Sequence, residues 1–380
     1  MANIAVMGIS AGDEGKGSVV HHLSTNYDYV IRYSGGSNAG HTIYRDNIKY
    51  VYHLLPCVDW RNKNTKAYLG SGMVIDLEEL YLEVSKLEEN YPDAPTRVYV
   101  DKEAFLVLEH HKVDDKLNNS HIGSTNRGIG PAYKDKVARK GARIDDLFTG
   151  RFSNLKLSSF ISKLSHLGVH FVHQLEMRSE MEKSNLLFEG AQGALLDLNY
   201  GIYPYVSCGD ASLSGIYSSG FGFAKLDHIY GVAKCYTTKV GEGPFPTELL
   251  GVQAEQLRKL GNEYGSTTGR PRRVGWLDLP AINYACLKSN ITDLILTKFD
   301  ILNGMDKVPV CNSYGYIPVC PNNFFNVRPQ YIDVQGWKDA KDYKQLQSFI
   351  SVVEDFTKIK VAYVSVGVDK DDFIRLDNKR

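Results

Sequence analysis

The feature that most limits the folds open to this chain lies at its beginning. Residues 2–8, ANIAVMG, are a short apolar run with no polar face, the pattern of a strand buried on both sides. The run passes directly into GISAGDEGKGSVV (8–20), where glycines, two carboxylates and a lysine precede a helical segment from Lys16 to about Leu23. A buried strand, a glycine-rich turn and a helix form the opening unit of an α/β fold.

The same alternation continues along the chain. YDYVIRYSGG (28–36) reads as a second strand ending in glycines, and residues 42–57 as a hairpin turning at RDN. AYLGSGMVID (67–76) reads as a strand, and LEELYLEVSKLEEN (77–90) as an amphipathic helix. Residues 120–147 are rich in Gly, Lys and Arg and have little periodicity, which predicts one long irregular connection, functional or disordered. Residues 154–184 are helical in pattern, and 185–198 form an apolar strand running into a turn. HIYGVAKCYTTKV (228–240), DLILTKFDIL (293–302) and VAYVSVGVD (361–369) are further strands, the third of them read as the last buried strand. The expected fold class is α/β, with a large, mostly parallel central sheet, surrounding helices and inserted subdomains. With no repeat, low-complexity tract or linker, residues 1–380 read as one domain carrying helical and loop insertions.

Composition narrows the function classes. The formal net charge is zero, with 23% charged and 43% hydrophobic residues. Nothing here predicts a nucleic-acid or acidic-membrane partner, and no run of 18 apolar residues predicts a membrane span. The N-terminus lacks the pattern of a secretory signal, so a cytoplasmic location is expected. Cys57, Cys208, Cys235, Cys286, Cys311 and Cys320 are scattered, without a C-x-x-C pair, which predicts reduced, mostly buried thiols.

Several stretches carry chemistry. The opening loop is not a Walker A sequence, because Gly17 follows Lys16 and Ser10 stands where the first glycine belongs. Gly12, Gly15 and Gly17 can still present backbone N–H groups to an anion at a helix N-terminus, with Lys16 in reach of a phosphate. Asp13 is out of place in an anion site unless it holds a metal or acts as a base. The loop alone equally fits a glycine-rich turn with solvated charges. GGSNAGHT (35–42) adds the amide of Asn38 and the imidazole of His41, a candidate general acid. LTKFD (296–300) fits a strand end that reads guanine through Asp300, with Lys298 packed on the base, or an ordinary turn. GSTTGRPRRVGWLD (265–278) gathers arginines suited to carboxylate and phosphate, or a solvated basic loop. FEGAQG (188–193) offers the amide of Gln192.

Taken together, GDEGKG (12–17), GGSNAGHT (35–42), GSTNRGIGPAYKDKVARKG (123–141), FEGAQGALLDLNYGIYPYV (188–206), VGEGPFPTEL (240–249), TTGRPRRVGWLD (267–278) and TKFD (297–300) resemble adenylosuccinate synthetase in order and spacing. That family is a C–N ligase that joins IMP to L-aspartate at the expense of GTP, with Mg²⁺. The resemblance implies that Asp13 takes the N1 proton of the base and binds Mg²⁺, with the carbonyl of Gly40 as a second ligand. It implies His41 as general acid and Lys16 and Gln192 as catalytic residues. Gly12, Glu14, Gly15, Lys16, Gly17 and Thr42 would line the GTP phosphates with Arg272. Lys298, Asp300, Ser365 and Gly367 would form the guanine pocket.

For the nucleotide acceptor the resemblance implies Asn38, Gln192, Thr125, Ser207 and Arg270, with Arg139 supplied by the second subunit of a homodimer. Ser266, Thr267, Thr268, Gly269, Arg270 and Arg272 would close on aspartate. The sequence departs from the family pattern in places. Ser10-Ala11 replaces the usual Gln-Trp, Ser207 a threonine, Asn126 a glycine and Val368 a proline, and the chain is short after residue 300. A viral branch of the family condenses dGMP with aspartate using ATP or dATP. The smaller Ser10-Ala11 would make room for a guanine amino group, whereas the retained Asp13 favours IMP. For a viral protein the expected location is the host cytoplasm.

Overall fold

The structure, a computed structural model, describes residues 2–45, 48–118, 123–265 and 269–376. Its frame is a ten-stranded sheet. In spatial order the strands are Phe373–Arg375, Lys360–Ser365, Asp293–Thr297, His228–Lys234, Ile4–Gly8, Leu186–Gly193, Tyr29–Arg32, Lys66–Leu69, Val98–Asp101 and His170–Val172. All neighbours are parallel except the edge strand Phe373–Arg375, which runs antiparallel to Lys360–Ser365.

The apolar run at the N-terminus sits near the middle of this sheet, between two strands much later in the chain, and all five of its residues are buried. Its alternate side chains serve two cores. Ala5 and Met7 pack on one face with Phe188, Ile229 and Leu296, and Ile4 and Val6 on the other with Val19, Val30 and Leu187. Burial on both faces explains the absence of a polar stripe in the sequence. A second sheet of four strands, Tyr236–Lys239, Arg273–Asp278, Lys307–Ser313 and Gln330–Gln335, adjoins the first.

The helices at Lys16–Leu23 and Leu77–Asn90 lie where the sequence places them. The second is capped by Asp76, whose carboxylate accepts from the amides of Glu78 and Glu79 at 3.1 and 3.4 Å. The hairpin is also present, pairing His41–Arg45 with Ile48–Tyr52, although Asp46 and Asn47 of its turn lie outside the described residues.

Other elements differ from expectation. Residues 67–76 form two strands in different sheets, Lys66–Leu69 and Val74–Ile75, because Gly70 and Gly72 let the chain turn against Arg32 and Tyr33. HIYGVAKCYTTKV is divided at Cys235 between the two sheets. The irregular connection contains helices Ile129–Val137 and Ile144–Thr149. The first starts at Gly128, in a left-handed conformation at φ 76°, and both are too short to show periodicity. The helical region 154–184 is interrupted by the strand His170–Val172. Lys360–Ser365 is the last strand with buried residues; beyond it the chain folds back as the edge strand Phe373–Arg375, which has none.

The six cysteines are unpaired, four buried and two half-buried. Among the described residues no helix is long and apolar enough to cross a membrane.

Candidate active site

Six neighbouring strands of the large sheet, from Lys360–Ser365 across to Tyr29–Arg32, end on the same side, as parallel strands must. Their carboxyl-end loops converge there. They line a cavity of about 1030 Å³, which receives Gly12, Asp13, Gly15, Lys16 and Gly17 from the first loop and Asn38, Gly40, His41 and Thr42 from the second. Gln192, Lys298, Asp300, Ser365 and Gly367 come from three more strand ends, and Thr125, Ser207, Arg270 and Arg272 complete the wall. Motifs that are individually ambiguous in the sequence therefore meet in one space.

Three expected residues do not line it. Glu14 lies beneath the opening loop, where its carboxylate accepts from the amides of Ser10 and Gly12 at 3.1 and 2.9 Å and from Lys16 Nζ at 2.6 Å. Its side chain shapes the loop instead of facing a ligand. Burial pushes its pKa up, but Lys16 and the amides outweigh this and hold it below the usual carboxylate range. Glycine is required around it, since a Cβ on Gly193 would stand 2.1 Å from Ser10 O and 2.3 Å from Glu14 Oε1. Arg139 is exposed and outside the cavity wall, beyond the end of helix Ile129–Val137. Gly269 is exposed and also outside the wall. Ser266, Thr267 and Thr268 lie outside the described residues.

Asp13 adopts a left-handed backbone conformation, φ 62°, which turns its short carboxylate out of the loop. Oδ2 lies 2.7 Å from Arg272 Nε. Arg272 Nη1 in turn donates to Glu263 Oε2 at 2.7 Å, and Glu263 Oε1 accepts from Lys234 Nζ at 2.7 Å and from the hydroxyl of Tyr236. Burial pushes Glu263 up, but Lys234 and Arg272 outweigh it and bring its pKa down to about 2.

His41 begins the hairpin and is buried. Its Nδ1 faces the carboxylate of Glu189, and its Nε2 is 3.0 Å from the carbonyl oxygen of Ala191. Both partners are acceptors, so both are satisfied only when the ring carries two protons. Burial works against that charge and, despite Glu189, holds the histidine below its ordinary pKa. Glu189 also accepts from the Cys57 amide at 2.8 Å and lies 3.7 Å from the fully buried Arg32. Burial raises its pKa, but His41 and Arg32 together bring it below the ordinary value.

At the other end of the cavity, Lys298 sits at φ 70° and turns the chain so that Asp300 follows on a short helical turn. Asp300 Oδ1 is buried and has no hydrogen-bond partner among the described residues, and burial raises its pKa. Gln192 is also buried. It donates to Asn38 Oδ1 at 3.4 Å, while its own Oε1 is without a hydrogen-bond partner among the described residues. Buried polar atoms without a partner, in residues that line a cavity, mark where a ligand's donors would fit. Sequence reasoning missed Glu189, Glu263, Lys234 and Arg32, whose partners are distant in the chain. FEGAQG contained Glu189, but nothing in the run showed that it faces His41.

The geometry and the comparisons with known proteins coincide. A model of the family "Adenylosuccinate synthetase" matches residues 5–183 and 156–374. The chain belongs to the adenylosuccinate synthetase family. Adenylosuccinate synthetase of Petrotoga mobilis is 42% identical, covering 97% of this chain and 96% of its own. That of Thermotoga maritima is 41% identical, covering 98% and 100%. The structure of fully ligated adenylosuccinate synthetase from Plasmodium falciparum superimposes with a TM-score of 0.88 at 31% identity, covering 99% of this chain and 100% of that one. The cyanophage S-2L succinoaminodeoxyadenylate synthetase, solved with dGMP and dATP, shares the fold at a TM-score of 0.71 and 21% identity, covering 99% and 95%. As a member of the adenylosuccinate synthetase family the protein is a C–N ligase.

Proposed function

We propose that this ligase condenses IMP with L-aspartate, using GTP, to form adenylosuccinate, GDP and phosphate. What carries the reading is one cavity lined by Asp13, a buried His41 and Asp300, whose Oδ1 has no hydrogen-bond partner among the described residues. Asp13 would accept the N1 proton of the hypoxanthine, so that O6 becomes the nucleophile toward the γ-phosphorus of GTP. His41, oriented by Glu189, would donate a proton to the departing GDP. The aspartate amine would then attack C6 and displace phosphate.

Gln192 would hold the base, and Thr125 and Ser207 the 5′-phosphate. The loop from Ser266 to Arg272 would close on aspartate. Lys298 and Asp300 would read the guanine of GTP. The Asp13 carboxylate and the Gly40 carbonyl form an all-oxygen donor pair that fits Mg²⁺ alongside nucleotide phosphates. Bound there, Mg²⁺ would offset phosphate charge. Arg139, exposed and outside the wall of its own cavity, would serve the site of a partner copy in a homodimer, and the enzyme would work in the cytoplasm.

IMP is favoured over dGMP because Asp13 is present and identity is about twice as high to the cellular relatives as to the phage enzyme. The deciding experiment incubates the protein with aspartate, Mg²⁺ and each pairing of IMP or dGMP with GTP or ATP. Adenylosuccinate from IMP and GTP, lost in Asp13→Ala and His41→Ala, is the expected result. Product from dGMP alone, or either variant near wild-type turnover, would refute the assignment.

A further inference from the structure

The buried lysines that line the cavity differ in one respect. Lys16 is paired with Glu14 at 2.6 Å and Lys234 with Glu263 at 2.7 Å. Lys239 lines the same cavity and is only 4% exposed, yet among the described residues its ammonium has neither a carboxylate within ion-pair distance nor a hydrogen-bond acceptor.

The surroundings explain this. Lys239 ends the strand Tyr236–Lys239 and stands opposite Arg273 in the antiparallel register. Arg273 takes the nearby carboxylate for itself, binding Glu248 through Nε at 2.6 Å and Nη2 at 2.5 Å, and Gly243 O through Nη1 at 2.9 Å. Glu242 is exposed and makes no ion pair with Lys239. Burial and Arg273 bring the Lys239 pKa down to about 8, and Glu242 and Glu248 only partly oppose them. A charge withdrawn from water without a counter-charge is unfavourable, and here the cavity is the place where a ligand would offset that cost.

Position narrows the ligand. Lys239 forms an isolated bridge with Ala11, the residue before Gly12 and Asp13. The turn that follows it packs on Gly123, whose added Cβ would be 3.4 Å from Gly241 Cα, next to the loop carrying Thr125. Arg273 closes the segment that carries Arg270 and Arg272. Lys239 thus stands where the loops assigned to phosphate and to aspartate meet.

We propose that Lys239 is a substrate-binding residue that takes an anionic group, carboxylate or phosphate, of a bound substrate. The proposal rests on the ligase reading above and deepens it. The test measures initial rates of wild type, Lys239→Gln and Lys239→Arg with IMP, L-aspartate and GTP varied in turn. Calorimetric titrations with IMP, GTP and the unreactive dicarboxylate succinate accompany them, so that binding is read even where no product forms. In Lys239→Gln the KM for one anionic substrate is expected to rise about ten- to hundredfold, as for loss of a charged hydrogen bond, with kcat changed far less. A rise for aspartate, matched by weaker succinate binding, assigns the carboxylate; a rise for IMP or GTP assigns a phosphate. Lys239→Arg should retain affinity. The wild-type KM for that substrate should rise as pH increases through about 8, and that of Lys239→Arg should not. Unchanged KM values and binding for all substrates in Lys239→Gln, or a loss confined to kcat, overturns the proposal. Absence of adenylosuccinate from the wild type would refute the ligase reading, while the titrations would still decide whether Lys239 binds an anion.

Discussion

Arg272 stands between two carboxylates, its Nε 2.7 Å from Asp13 and its Nη1 2.7 Å from Glu263. Only a planar fork bridges two acceptors in this way, and Glu263 is itself held by Lys234. The chain Asp13–Arg272–Glu263–Lys234 alternates in charge and ties the opening loop to the arginine-rich segment. A lysine at 272 offers a single nitrogen where the guanidinium offers separate ones to the two carboxylates. Arg272→Lys is therefore expected to lower kcat/KM by about ten- to hundredfold, the scale of a charged hydrogen bond. Steady-state kinetics measures it, and wild-type kcat/KM in the variant would show that the bridge has no part in turnover.

Glu263 is fully buried, so removing its charge leaves Lys234 without its paired carboxylate and Arg272 with Asp13 alone. Glu263→Gln should destabilise the protein by about 3–5 kcal/mol, the usual result of breaking a buried ion pair from one side. Urea denaturation of both proteins measures this. A loss below about 1 kcal/mol, the scale of an exposed pair, would mean that water reaches the network.

Much of this site was legible in the sequence, and the legible part has a common physical basis. Gly12, Asp13, Lys16, Asn38 and His41 sit in loops directly behind apolar strands, and the parallel arrangement predicted by that alternation brings such loops together. The hairpin and the helices at 16–23 and 77–90 were legible because each is set by local pattern and capping. Glu189 and Glu263 were not, because their partners His41 and Lys234 are brought near only by the sheet. The place of the Glu14 carboxylate was not legible either, for a related reason. A carboxylate in a glycine loop resembles a ligand-facing group until Gly8 and Gly193 are seen to leave the space it occupies under the loop. The second sheet was missed because its strands alternate weakly and one of them continues directly from a strand of the first.

Gly193 offers a test of that packing. The atoms a new Cβ would meet include backbone of Ser10 and Gly12, which cannot swing aside as a side-chain end can. Gly193→Ala should cost about 1–3 kcal/mol or more through overpacking and should displace the opening loop. A lower melting temperature together with weaker GTP binding is the expected pair of results. A variant with unchanged melting temperature would contradict the close approach.

Asp300 tests the choice of phosphoryl donor. Asp300 lines the cavity and its buried Oδ1 has no hydrogen-bond partner among the described residues, so the paired N1 and N2 donors of guanine would suit this carboxylate and the adenine edge, with an acceptor at N1, would not. In Asp300→Asn the carboxylate that would accept from N1 and N2 is replaced by an amide with one acceptor and two donors. The KM for GTP should rise about ten- to hundredfold, with the KM for IMP unchanged. Equal use of GTP and ATP by the wild type would show that this carboxylate does not read the base.

Asp278 couples stability to pH away from the cavity. It caps helix Leu279–Lys288 by accepting from the Ala281 amide at 3.2 Å, and Tyr314 donates to it at 2.6 Å. Burial nevertheless raises its pKa to about 6, against an ordinary value of 3.8. The folded state thus binds this proton more tightly than the unfolded state. The resulting stabilisation is fully present below about pH 3.8 and is lost as pH rises through about 6. The gap between the two values corresponds to about 3 kcal/mol. Asp278→Asn keeps an oxygen for the Ala281 amide and removes the titration. The stability of the variant relative to wild type should therefore increase by about that amount between pH 4 and pH 7. Urea midpoints across this range measure the difference, and parallel curves for the two proteins would exclude Asp278 as the titrating group.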